Sequence, residues 1–401
     1  MTQGTYRYVI VGGGLAGAAA IEGIRERDAE GRILLLGSEN HLPYDRPPLS
    51  KKLWFGKQQV QDIFLHDQAF YAANWTDVAL RVKAVGIDPR TKTVASDDGA
   101  SYRYEKLLLA TGGAPRALAI PGGDLEGVCY YRYLDDYLAV RERAAAGKSA
   151  VVIGGGFIGS EMAAALNVNG LRVTVVFPDA YLVSRVFPEG LGRALQEAYI
   201  ERGITVLAGD APIAIERAGG GFIVHTRSGQ RPDGDIVIVG IGIAPAVELA
   251  ARAGLVVQDG IVVNEYLQTS NPDIYAAGDN AFCPYQALGP RMRVEHWANA
   301  INQGRCAGRN MAGGGEPFIY MPYFFSDLFE FGYEAVGEVD ARLETFADWQ
   351  KEHDTGVIYY LREGVVRGAM MCNVWDKVEA ARELIRRGER MTPQQLRGAI
   401  R

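Results

Sequence analysis

Two apolar runs, Tyr8–Val11 and Ala150–Ile153, each break off in a cluster of glycines and continue into alanine-rich sequence. An apolar run without alternation reads as a parallel strand buried on both faces. A second apolar run follows in each case, Ile33–Leu36 and Val173–Phe177, and an acidic residue comes soon after, Glu39 and Asp179. The pattern predicts strand, glycine turn, helix, strand, twice over. Lys106–Ala110 before Thr111-Gly112-Gly113, and Ile236–Ile243 ending near Pro245, predict two further strands where the chain crosses between domains. From about Met321 the texture changes. Phe324, Phe325, Phe329, Phe331 and Tyr333, then Val357–Leu361 and Val365–Met371, predict antiparallel strands, with Glu363-Gly364 as the last turn. A helix is expected around Val378–Arg387. Thr392-Pro393 with Gln395 reads as a capping box opening a short last helix.

Composition adds one fact and removes several classes. Glycine accounts for 49 of 401 residues, about 12% against a usual ~7%, so the fold needs backbone without side chains in many places. The net charge of -6 and pI of about 5.6 give no footprint for nucleic acid. Tyr8–Ile21, the longest apolar stretch, contains glycines and is shorter than the ~20 residues of a membrane helix, so no insertion is expected. Cys129, Cys283, Cys306 and Cys372 are scattered without a CxxC pair. That speaks against a disulfide scaffold or a metal site, and fits the cytoplasm.

The glycine turns carry the chemistry. In Gly12-x-Gly14-x-x-Gly17, the first glycine permits the tight turn, the second admits a pyrophosphate, and the third lets helix and strand pack closely. The helix N-terminus then offers N–H groups and a partial positive charge to phosphate. Glu39, about 20 residues further on, is placed to accept from ribose hydroxyls. Gly154-x-Gly156-x-x-Gly159 with Asp179 repeats the logic. An acid there favours a free 2′-hydroxyl, hence NADH, while Arg185 leaves NADPH open. Two such sites suggest two cofactors, one held and one exchanged, and hydride transfer from nicotinamide to flavin needs that pair.

Four further segments resemble the FAD-dependent pyridine-nucleotide oxidoreductases of the ferredoxin-reductase and apoptosis-inducing-factor type. They are Pro43-Tyr44-Asp45-Arg46-Pro47-Pro48-Leu49-Ser50-Lys51, Thr111-Gly112-Gly113-Ala114-Pro115-Arg116, Ile274-Tyr275-Ala276-Ala277-Gly278-Asp279, and Arg293–Ala300 followed by Gly304-Arg305. The resemblance spans essentially the whole chain. It implies an α/β, glutathione-reductase-like fold of two Rossmann-like domains plus a C-terminal α+β domain. FAD would occupy 1–113 with 246–320, NAD(P)H 114–245, and the C-terminal domain 321–401.

The same resemblance implies roles for residues. Ala16 would line the FAD pyrophosphate turn and Val82 would meet the adenine through its backbone. Arg46 and Arg132 would lie along the FAD, Asp279 would hold the ribityl chain, and Trp297 would sit against the isoalloxazine. Lys51 and Glu161 would pair near flavin N5. Phe157 would gate or stack on the nicotinamide, or simply fill helix packing, and Gly242 with Pro245 would close that site. His296 is a candidate proton relay or a structural histidine. The absence of cysteine from residues 40–60 argues against thiol turnover. The expected partner is a ferredoxin-like iron–sulfur protein, with Arg382, Arg386, Arg387 and Arg390 as a candidate basic patch or an ordinary solvated face. Gly332–Gly337 and Gly356–Arg362 look closer to the apoptosis-inducing-factor group. That leaves open a redox-linked conformational or dimerising role, a homodimer, or reduction of quinone or oxygen. The chain opens directly on its first strand, so no targeting segment is expected.

Overall fold

The computed structural model describes residues 2–289 and 291–400. The chain forms two compact units. One comprises Met1–Asp45, Gln61–Ala114 and Ala244–Phe324; the other comprises Arg46–Val60, Pro115–Ile243 and Phe325–Arg401.

The first unit is built on a mostly parallel sheet. The strand Thr2–Val11 lies between Ile33–Gly37 and Ser101–Leu109, with Thr76–Leu80 outside Ile33–Gly37. Ile274–Ala276 joins the C-terminal half of Ser101–Leu109, while Thr93–Ser96 pairs antiparallel with its beginning. Every residue of Ile33–Gly37 is buried, as its unbroken apolar pattern requires. The helices Leu15–Arg25 and Trp297–Met311 pack backbone to backbone. A Cβ added at Gly304 would lie 2.2 Å from the Ala16 carbonyl oxygen, one at Gly308 2.2 Å from that of Ala20, and one at Gly23 2.1 Å from that of Arg305. Part of the glycine surplus therefore serves this helix contact.

The second unit repeats the theme. Its parallel sheet runs Thr205–Ala208, Arg172–Phe177, Ser149–Ile153, Ile236–Val239, Val128–Tyr130. The run expected as one strand over Ile236–Ile243 is two, Ile236–Val239 and Ile243–Pro245. The break is at Gly240–Gly242, where Gly242 takes φ +89°. The antiparallel C-terminal sheet has the order Tyr323–Leu328, Phe331–Gly337, Val365–Cys372, Thr355–Arg362, Glu344–Lys351. Glu344–Lys351 was not foreseen; it is a polar edge strand with no buried residue, so hydrophobic patterning could not mark it. Val378–Arg387 buries Ala381, Leu384 and Ile385, and Thr392 caps the short helix Pro393–Leu396 in a capping box with Gln395. Among the described residues no helix is long and apolar enough to cross a membrane.

Candidate functional site

Both glycine turns have one geometry. Gly12 (φ +124°) and Gly154 (φ +122°) sit where a side chain would strike backbone: their Cβ positions lie 2.1 Å from the Ala110 oxygen and 2.3 Å from the Gly240 oxygen. Gly17 and Gly159 would each collide with the carbonyl oxygen of the first glycine of their own turn, at 2.1 and 1.8 Å. The helices Leu15–Arg25 and Phe157–Val168 start from Gly14 and Gly156 with no side-chain cap. Their first N–H groups thus lack a side-chain acceptor, which is the arrangement that receives phosphate. A Cβ on Gly156 would meet nothing within 4 Å, so that turn has an open face.

Several predicted residues gather around the first turn. Glu39 accepts from Tyr44 Oη at 2.6 Å. The Val82 N–H donates to the Gly37 carbonyl at 3.0 Å, so an adenine contact would fall to its carbonyl oxygen. Ala16 is buried, 3.2 Å from the Cβ position of Gly278, which brings Asp279 to this helix. Trp297 opens the helix Trp297–Met311; it is 37% exposed and its Nε1 donates to Asp45 Oδ1. His296 packs against Phe324 with ring centroids 4.4 Å apart. Burial lowers its pKa from 6.5 to about 4, so the ring is neutral at ordinary pH. Two polar atoms here are sealed from solvent with no hydrogen-bond partner among the described residues: Asn280 Oδ1 and His296 Nδ1. They flank Asp279 and Trp297, and such atoms call for a polar ligand. Uncapped N–H groups, a carboxylate and unsatisfied polar atoms suit a dinucleotide.

The other candidates lie in the second unit. Asp179 is exposed just beyond the strand Arg172–Phe177, and Phe157 is 36% exposed at the first position of its helix. Arg185 is exposed. Gly242 has open space where a side chain would be, and its carbonyl accepts from the Arg116 N–H at 3.0 Å. Arg46 stands 5.5 Å over the Tyr133 ring, while the Arg132 N–H is held by Asp136 at 2.8 Å.

Lys51 and Glu161 do meet. Lys51 Nζ lies 3.1 Å from Glu161 Oε1, with side-chain exposures of only 10% and 8%. Glu161 stands on the first turns of Phe157–Val168; Lys51 ends the 3₁₀ helix Pro47–Ser50. The proline-rich segment is pinned to this unit. The Leu49 carbonyl accepts from Trp54 Nε1 at 2.8 Å and from Tyr131 Oη, and Asn169 Nδ2 donates to the Trp54 carbonyl at 3.1 Å. Ser50 and Ser326 also donate to Glu161. Sequence reasoning passed over Ser50, Ser326, Trp54 and Tyr131. Ser50 and Trp54 are close to Lys51 in sequence, but nothing local marks Ser326.

Each arginine of the candidate basic patch has a carboxylate partner, Arg386 and Arg387 sharing one. Arg382 pairs with Glu379, Arg386 and Arg387 with Glu383, and Arg390 with Glu363. That describes a salt-bridged surface rather than a field of bare positive charge. The four cysteines are free; burial raises the thiol pKa of Cys129 and Cys283 to about 12 and that of Cys306 to about 11, and pushes Cys372 up as well.

Two uncapped helix starts in parallel sheets, each preceded by a glycine that admits no side chain, define a protein of two dinucleotide sites. The sequence profile of the pyridine nucleotide-disulphide oxidoreductases matches residues 6–304. The chain belongs to that family, and it is an NAD(P)H-dependent FAD oxidoreductase using FAD and NADH. Residues 307–355 match the profile described as apoptosis-inducing factor, mitochondrion-associated, C-term. Among its relatives, the anthranilate 1,2-dioxygenase system ferredoxin–NAD(+) reductase component of Burkholderia cepacia is 36% identical over 97% of this chain and 96% of its own. Mitochondrial apoptosis-inducing factor 1 of Dictyostelium discoideum is 33% identical over 95% of this chain and 78% of its own. Among solved structures, the covalent putidaredoxin reductase–putidaredoxin complex matches with a TM-score of 0.91 and 30% identity, over 98% of this chain and 95% of that one.

Proposed function

We propose that this protein takes hydride from NADH onto FAD and passes the electrons singly to a ferredoxin-like iron–sulfur protein. The observation that carries the reading is the sealed Lys51–Glu161 pair on the helix that begins at the second glycine turn. A charge pair so enclosed is costly unless each partner answers the other. Placed beside a ring that gains negative charge, a fixed ammonium stabilises the developing charge. FAD, when bound, supplies the hydride acceptor and the capacity for one-electron release.

The chain's residues divide the remaining work. Residues 1–113 and 246–320 form the FAD domain in this reading, 114–245 the NADH domain, and 321–401 the C-terminal domain. Gly12, Gly14, Ala16 and Gly17 seat the FAD pyrophosphate. Glu39 and Val82 take its adenosine, and Asp279, Trp297, Arg46 and Arg132 take the rest. Gly154, Gly156 and Gly159 seat the NADH pyrophosphate and Asp179 its ribose, while Phe157 and Gly242 border the nicotinamide. Exposed Arg185 keeps NADPH as a second donor. The reductase components of iron–sulfur systems among the relatives support the partner class. Four free thiols support a cytoplasmic location.

A second reading has one observation in its favour, the apoptosis-inducing-factor profile over residues 307–355. In it, reduction by NADH drives a conformational or dimerising change. Anaerobic reduction by NADH followed by mixing with ferredoxins, quinone or air separates the two. Rapid reoxidation by an iron–sulfur protein supports the first. A long-lived reduced complex that dimerises supports the second. Purified protein without a flavin spectrum that takes up no added FAD would refute both.

A further inference from the structure

Glu161 is held by more than Lys51. Its Oε1 accepts from Ser326 Oγ at 2.5 Å as well as from Lys51 Nζ, and its Oε2 accepts from Ser50 Oγ. Ser326 and Ser50 are 2% and 4% exposed, so lost donors would not be replaced by bulk water. The strand that bears Ser326 also confines the lysine. The Phe325 carbonyl lies 3.4 Å from Lys51 Nζ, and the Phe325 ring centroid is 5.0 Å away. An ammonium has three N–H groups. Glu161 and the Phe325 carbonyl occupy two directions, and those two set the third.

We propose that Ser326, on the first strand of the C-terminal sheet, is a positioning residue for hydride transfer, acting with Ser50 to fix the Glu161 carboxylate and through it the Lys51 ammonium. The proposal rests on the reading of Lys51 given above. It assigns the C-terminal domain a part in the chemistry: one hydroxyl that orients a pair contributed by two distant segments. Serine suits the role because its hydroxyl donates without adding charge to a sealed site. Alanine in its place removes one of the two donors to Oε1 and leaves the carboxylate's orientation to Ser50 and Lys51 alone. The lysine then loses its defined direction, while the NADH phosphate seat, formed by Gly154–Gly159, is untouched.

The test is stopped-flow reduction of the holoenzyme by NADH, with the flavin midpoint potential measured in parallel. Ser326→Ala is expected to lower the limiting reduction rate about tenfold, as for a lost hydrogen bond to a charged group. It should also make the potential more negative and leave the NADH dissociation constant within about twofold. Ser326→Thr, which keeps the hydroxyl, should restore rate and potential. In a Lys51→Ala background, Ser326→Ala should cost nothing more, since the role acts through Lys51. A wild-type rate in Ser326→Ala, or losses that simply add in the double variant, would overturn the proposal and leave the reading of Lys51 intact. An unimpaired Lys51→Ala enzyme would instead remove that reading. Should Ser326→Ala not fold, Ser50→Ala probes the other carboxylate oxygen without disturbing the C-terminal sheet, with the same outcomes expected.

Discussion

The two glycine turns share a backbone but not their surroundings. The helix that follows the first, Leu15–Arg25, is buried at nine of its residues and lies against Trp297–Met311 with carbonyls where glycine Cβ atoms would be. The helix that follows the second begins with Phe157 and Ile158, both 36% exposed. The first acid, Glu39, is braced by Tyr44, whereas the second, Asp179, is exposed. One motif thus stands in two settings. A helix enclosed from its first residue suits a cofactor that stays, and a helix start open to solvent suits one that comes and goes.

Exchanging features between the turns tests this contrast. The largest effect is expected from valine at the first glycine of each. Gly12→Val forces a branched side chain against the Ala110 carbonyl at a φ that only glycine adopts freely. A loss of ~3 kcal/mol or more, with flavin-free or insoluble protein, is expected and is read from the flavin spectrum and thermal unfolding. Gly154→Val meets the same clash, against the Gly240 carbonyl, and should lose comparable stability; its folded fraction should keep its flavin but be reduced poorly by NADH. Equal flavin loss in both variants would erase the distinction.

Next comes Lys51→Ala, expected to slow flavin reduction about a hundredfold with the fold retained. Gly304→Ala tests whether enclosure matters. A methyl 2.2 Å from the Ala16 carbonyl should cost ~2 kcal/mol in stability and loosen FAD, with little change in NADH affinity. Asp179→Ala is milder, weakening NADH binding about tenfold at unchanged flavin content. Parallel loss of both cofactors would contradict the assignment.

A separate effect, on stability alone, concerns pH. His296 titrates near 4 when folded against 6.5 when unfolded, because burial disfavours its charged form. Between those values the unfolded chain binds the extra proton. The stabilisation is therefore complete above pH ~6.5 and fades as pH falls towards 4, by at most ~3 kcal/mol. Thermal midpoints should decline over that window in the wild type and decline less in His296→Gln. Parallel curves would show that His296 does not carry the acid sensitivity.

Much of this was legible in the chain because its signals are local. A glycine that must turn, a β-branched run buried on both faces and a capping threonine before proline act within a few residues. The glycine turns, the strands Ile33–Gly37 and Arg172–Phe177, and the helices after 378 and 393 could accordingly be placed from pattern alone. The edge strand Glu344–Lys351 could not, since its stability comes from pairing with Thr355–Arg362 rather than from its own hydrophobicity. Nor could the break at Gly240–Gly242, where a neighbouring turn needs room for backbone.

What the sequence determined by itself was the repertoire: two glycine turns, two acids and a lysine in a proline-rich motif. Tertiary structure decided the rest. It packed a glycine-faced helix against the one that follows the first turn and left the start of the other helix exposed. It also brought Ser50, Lys51, Glu161 and Ser326 together from three distant stretches of chain. The physical reason is burial. A lysine and a glutamate removed from water require every remaining hydrogen-bond position to be filled. Which hydroxyls fill them depends on what the fold places within reach, a property of no single segment.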